Sequence, residues 1–138
     1  MHHRKSTTAA VAVLLGLTLS ACGGDQSVEE ACEIANADAR EATESLSSIS
    51  PTEPEESAAA LDELESTLSE TADGLDNEEV KTEVQTLADQ FGELSSSLGE
   101  VAEAGDDPEA LQEVSGRLSE LGGEIMEQAN TLNELCPA

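Results

Sequence analysis

Apolar residues recur along this chain at alternating steps of four and three, and four such runs follow one another. The first is Val28, Cys32, Ala35, Ala39, Ala42, Leu46 and Ile49. The second is Leu61, Leu64, Leu68, Thr71 and Leu75, and the third is Val80, Val84, Leu87, Phe91, Leu94, Leu98 and Val101. The fourth is Leu111, Val114, Leu118, Leu121, Ile125, Gln128, Leu132 and Leu135, with Gln128 as its polar member and Met126 and Ala129 beside it. A seven-residue period with two apolar positions per repeat puts those positions on one stripe of an α-helix. The chain therefore predicts four amphipathic helices.

Helix punctuation falls between the runs. Ser27-Val28-Glu29-Glu30 has the capping-box form, in which serine and glutamate satisfy each other's backbone N–H groups. Ser50-Pro51 ends the first run, since proline disfavours a helical residue before it. Thr52-Glu53-Pro54-Glu55 and Asp76-Asn77-Glu78-Glu79 repeat the cap pattern, and Asp107-Pro108-Glu109 sets a capping acid before a proline in the first turn. Asp73-Gly74 and Ala104-Gly105-Asp106 are helix stops, with glycine the expected left-handed residue. The helices fall at 27–49, 53–73, 77–104 and 108–135. Loops of two to four residues between them require antiparallel neighbours. The fold expected is all-α: an up-down-up-down four-helix bundle over residues 27–136, with the left-handed supercoil that a strict heptad repeat imposes.

The alanines of the first run let neighbouring helices approach closely, and leucines of the other three should fill the middle. Gly92, Gly99, Gly116 and Gly122-Gly123 lie inside helices, each at a cost of about 1 kcal/mol relative to alanine. The Gly122-Gly123 pair marks either a kink or a place where the alanine face packs closely.

Composition changes the picture in two ways. The full chain has 31 acidic and 5 basic residues, a formal charge of −26, and Phe91 is its one aromatic residue. Such a balance resembles that of disordered chains. Four caps and four matched seams are not what a disordered chain carries. The charge also excludes nucleic acid as a partner, because phosphate would be repelled.

Residues 1–26 differ from the rest. Met1 to Lys5 is polar and basic, and Ala9 to Leu19 is almost wholly apolar. At about 1.5 Å per residue, this run reaches roughly 16 Å, too short for a bilayer core of ~30 Å. A basic start, a short apolar run and small residues after it make a secretory signal. Its end, Leu19-Ser20-Ala21-Cys22, resembles the lipobox of bacterial lipoproteins, and all four positions match. The resemblance covers residues 1–22. It implies cleavage between Ala21 and Cys22, a diacylglyceryl group on the Cys22 thiol, and a place on the outer face of a bacterial cytoplasmic membrane. Residues 1–21 would be the signal, and 22–26 the lipidated cysteine and a flexible tether. Removing 1–21 takes Arg4 and Lys5 and no acid, so three basic residues face 31 acidic ones, a formal charge of −28. Anionic headgroups would repel such a surface, so attachment would come from the lipid.

Cys32 and Cys136 are then the remaining thiols, in an oxidising compartment. The start of the first helix and the end of the fourth lie at one end of an up-down-up-down bundle, so a disulfide between them is expected.

Chemistry is harder to find. Both histidines, His2 and His3, lie in the signal, so the mature region lacks the usual general base and any Glu-x-x-His metal site. No serine lies in a Gly-x-Ser-x-Gly turn, and no glycine-rich phosphate loop occurs. The 73–78 segment faintly resembles a calcium loop without its alternating ligands. Glu63, Glu65, Glu70, Glu113, Glu120 and Glu127 read as a solvated face. No catalytic, cofactor or metal site is expected. The reading is a non-enzymatic interaction or envelope-structural protein whose acidic faces meet a basic envelope protein or divalent cations. The alternatives are a carrier with a small apolar ligand between the helices, and an inhibitor or chaperone of an exported enzyme.

Overall fold

The computed structural model describes residues 26–47 and 53–137. The signal segment, Cys22 and most of the tether lie outside these residues, as do Ile49, Pro51 and Thr52. Four helices follow in order: α1 (Val28–Leu46), α2 (Pro54–Gly74), α3 (Glu78–Ala104) and α4 (Pro108–Leu135). They pack against one another as a four-helix bundle. Three-residue connections at 75–77 and 105–107 force α2, α3 and α4 to alternate in direction.

The caps explain the boundaries. At α1, the Glu30 backbone N–H donates to Ser27 Oγ at 3.1 Å, and the Ser27 backbone N–H donates to Glu30 Oε2 at 3.1 Å. These bonds hold the Glu30 carboxyl below its ordinary range. At α4, Asp107 Oδ1 accepts from the backbone N–H groups of Glu109 and Ala110, and Pro108 opens the first turn. The cap of α3 is Asn77 rather than Asp76: its Oδ1 accepts from the Val80 N–H at 3.1 Å. At α2 the capping position is Glu53, with no side-chain cap bond. The end of α1 is also earlier than expected, because the Ser47 N–H turns in to the Glu44 carbonyl and leaves the α-helical ladder.

Gly74 does not act as a left-handed stop. It is the last helical residue of α2, and Leu75 leaves the helix in extended conformation with its N–H still bonded to Ala72. Leu75 is driven there by burial, its side chain 2% exposed within the core. Gly105 ends α3 instead, at a positive φ of 56° that glycine adopts freely.

The core lies between α1, α2 and α3. Ala31, Cys32 and Ala35 from α1 meet Leu61, Leu64, Leu68 and Ala72 from α2 and Val80, Val84, Leu87, Ala88 and Phe91 from α3. The alanines allow the close approach expected of them, to α3 as well as to α2. Helix α4 departs from expectation. Of its seam, only Val114 and Leu121 are buried, while Leu111, Leu118, Ile125, Leu132 and Leu135 are half-buried. It packs on α3 and hardly touches α1 along its length. Among the described residues, α4 is therefore less covered than α2 and α3 away from the disulfide end.

Gly122-Gly123 is not a place of close packing. Helix α4 runs unbroken through both residues, and a Cβ built on either would meet open space within 4 Å. The close approach is at Gly92, where an added Cβ would come 3.3 Å from Glu65 Cγ.

Candidate functional site

Two features stand out: one end of the bundle, where separate parts of the chain are fastened together, and the carboxylate-rich surface.

At the first, Cys32 and Cys136 form a disulfide with Cα atoms 5.2 Å apart, across 104 positions of sequence. Both sulfurs sit in the core, with Cys32 7% and Cys136 1% exposed. Helix periodicity puts Cys32 one turn into α1 on its apolar stripe, and Cys136 follows the last turn of α4. The Cys136 N–H still donates to the Leu132 carbonyl, which fixes the approach of its side chain. Gln26 fastens the same end from another side. Its backbone carbonyl accepts from Asn77 Nδ2 at 3.0 Å, and its Oε1 accepts from the Asp76 N–H at 3.2 Å. The start of α1, the 75–77 turn and the end of α4 thus form one fastened end. The disulfide was legible in the sequence; the Gln26 clamp was not, because nothing in a lone glutamine signals its partners.

The polar surface is organised by scarcity of cations. Among the described residues, Arg117 pairs with Glu100 and, at 3.7 Å, with Glu113, both on the surface. Between the helices, carboxylates are met by hydroxyls and amides instead. Thr71 Oγ1 donates to Asp38 Oδ2 at 2.7 Å, joining α2 to α1. Ser95 Oγ lies within donating reach of Asp62 Oδ1 and of the Ala58 carbonyl, joining α3 to α2. Gln128 Nε2 donates to the carbonyl and carboxylate of Glu83, joining α4 to α3. Gln128, the polar break in the fourth seam, thus helps to fix α4 in register on α3, as Arg117 does through Glu100. Hydrogen bonds to charged groups contribute about 1.5–3 kcal/mol each, more than neutral ones.

Of the glutamates expected on a solvated face, Glu63, Glu70, Glu113, Glu120 and Glu127 are exposed, and Glu65 is half-buried beside Gly92. In the 73–78 segment, the Asp76 N–H and the Asn77 amide donate to Gln26, and Asn77 Oδ1 accepts from the Val80 N–H. Among the described residues, no group of three His, Cys, Asp or Glu side chains converges as a metal site would require. A depression of about 620 Å³ lies between α2 and α3, edged by Glu55, Asp62, Glu100 and Glu103. A second, of about 450 Å³, is edged by Glu65, Asp89 and Glu93. Both are open to solvent and rimmed with carboxylates, unlike the apolar enclosure that a carrier of an apolar ligand uses. No helix among the described residues is long and apolar enough to cross a membrane. No protein-family model matches this sequence, and no curated protein or solved structure is significantly similar to it.

Proposed function

We propose that the protein is a lipid-anchored lipoprotein of the bacterial cell envelope, held by Cys22 on the outer face of the cytoplasmic membrane, and that its bundle works by binding rather than catalysis. The observation that carries this reading is Leu19-Ser20-Ala21-Cys22 after a basic start and a short apolar run. The cysteine count supports it: Cys32 and Cys136 pair with each other, which suits an oxidising compartment and leaves Cys22 as the odd thiol. A mature region without histidine, and with −28 formal charge, suits a surface that meets basic proteins or gathers cations.

On this reading the anchor also has a direction. From Cys22 to Gln26 the chain reaches at most about 14 Å. Gln26 belongs to the fastened end, so that end faces the bilayer. Helices α3 and α4, of 27 and 28 residues, stand about 40 Å away from it and carry the 105–107 turn outward.

The test is to change Cys22 to Ala, supply radiolabelled palmitate and fractionate the cells. Wild-type protein should carry label and sediment with membranes, because two acyl chains suffice for stable attachment. The variant should lose the label and leave the membrane fraction. A variant that stays membrane-bound would refute the anchor.

A further inference from the structure

We infer that the depression of about 450 Å³ where α2, α3 and α4 meet is a binding site for a short aliphatic diamine, an alkyl chain with an ammonium group at each end. Three helices build it. Glu65 comes from α2, Asp89, Gly92, Glu93 and Ser97 from α3, and Leu121 from α4. Gly92 lets Glu65 lean across α3, since a Cβ there would come 3.3 Å from Glu65 Cγ. Asp89 and Glu93 lie one helical turn apart, about 6 Å between Cβ atoms. Gln85 Nε2 donates to Asp89 Oδ1 at 3.0 Å and steadies that carboxylate. From α4, Arg117 turns its charge to Glu100 and Glu113. Among the described residues, Glu65, Asp89 and Glu93 therefore have no cation of the chain's own.

Ser97 points to a ligand independently of the acids. It is 2% exposed and lines the depression, yet its hydroxyl has no hydrogen-bond partner among the described residues. Thr71 and Ser95, the comparable buried hydroxyls of α2 and α3, each face a carboxylate. A buried hydroxyl without a partner is costly, and an N–H donor held in the depression would satisfy it. Leu121, 5% exposed, gives the same depression an apolar wall. A diamine brings together what these groups need: charged ends for the carboxylates, an N–H for Ser97 and a short hydrocarbon for Leu121. A metal ion fits less well. Among the described residues, no three acidic side chains converge on one point as a single ion requires. Two ammonium groups on a chain suit carboxylates that stand apart. All these residues lie in the bundle, so the site does not depend on the lipid anchor.

The test titrates full-length protein in detergent micelles with putrescine at low salt and follows the backbone amide shifts. Binding should saturate with a Kd of about 1 mM or tighter, and the shifts should centre on Gly92, Glu93, Ser97 and Leu121. Butylamine, with one charge, should bind about fivefold more weakly or worse. Glu93 is exposed, so Glu93→Gln leaves the fold alone, and it should weaken putrescine binding by about fivefold or more. Ser97→Ala should weaken it by about threefold to fivefold. Glu127→Gln removes the same charge from the exposed surface of α4 outside the depression and should leave Kd within about twofold. Shifts that fail to saturate, or that spread over the whole acidic surface, overturn the site. A Glu127→Gln protein weakened as much as Glu93→Gln overturns it too, because net charge alone would then account for the attraction. Butylamine that binds as tightly as putrescine overturns recognition of both ends. Each of these failures leaves the lipid anchor standing.

Discussion

Helices α2 and α4 carry the same heptad rhythm, yet one is a core helix and the other an edge helix. The stripe of α2 is buried from Leu61 to Leu75. The stripe of α4 is buried at Val114 and Leu121 and half-wet elsewhere. The difference lies in the neighbours. Helix α2 has α1 on one side and α3 on the other, whereas α4 packs mainly on α3 and meets α1 at the disulfide end. Periodicity states that a helix has an apolar face; it does not state how many helices cover it. Helix α1, at 19 residues, is too short to run beside the whole of α4, at 28.

The largest effect that can break this comparison is at Phe91, which is 8% exposed and part of the shared core. Phe91→Ala should cost about 3–5 kcal/mol in denaturant unfolding. Leu118→Ala, on the half-buried stripe of α4, should cost less than about 2 kcal/mol, below the usual range for a packed leucine. Equal losses at the two positions would mean that α4 is covered after all.

Next in size is the disulfide, which ties the end of α4 to α1 where packing does not. Chain-entropy reasoning for a loop of this length sets a ceiling near ~4.7 kcal/mol, with 2–4 typical. Replacing Cys32 and Cys136 together with Ala should lower stability by that amount, and hydrogen exchange should quicken in the last turns of α4 before it quickens in α2 or α3. Uniform quickening would show that the four helices open as one unit.

Salt should act on the surface more than on the core. Carboxylates outnumber cations everywhere, and ions screen exposed charges over about 10 Å at 0.1 M. Added sodium chloride should therefore raise Tm, by about 4–6 °C for each kcal/mol gained. A flat response would mean that attractive contacts such as Arg117 with Glu100 balance the repulsion.

The smallest effect concerns the glycines of α4. An added Cβ at Gly116 meets open space, so Gly116→Ala should stabilise the fold by up to about 1 kcal/mol. The same change at Gly92 would press on Glu65 and gain less. Acid gives a further check at the other end of the chain. Glu30 has a lowered pKa through its bonds to Ser27, so the stability it adds is present above its ordinary value of 4.5 and is lost as pH falls through the lower folded value. Glu30→Gln should remove that part of the acid response.

Much of the fold was legible because its signals were local. Ser27 sits alone beside its helix, and at Asp106-Asp107 the proline that follows marks Asp107 as the cap; both caps form as read. At Asp76-Asn77 two acceptors stand next to each other, each three residues before a candidate N–H, and the sequence offers no means of choosing between them. Gly74 misled because glycine permits a left-handed turn without requiring one, and the pull of Leu75 into the core decides the matter. The Cys32–Cys136 bond followed from counting thiols and from helix direction. What escaped was tertiary: the exposure of α4, the Gln26 clamp, and the pairing of Gln128 with Glu83 each depend on which helix lies alongside.

One measurement tests the central claim most directly, since it reads all three cysteines at once. Protein taken from its native membranes is digested without reduction and weighed by mass spectrometry. The account predicts an N-terminal peptide that begins at Cys22 and carries a diacylglyceryl group, together with a Cys32–Cys136 linked pair. An unmodified Cys22 thiol, or Cys22 disulfide-bonded to either of the others, would contradict it.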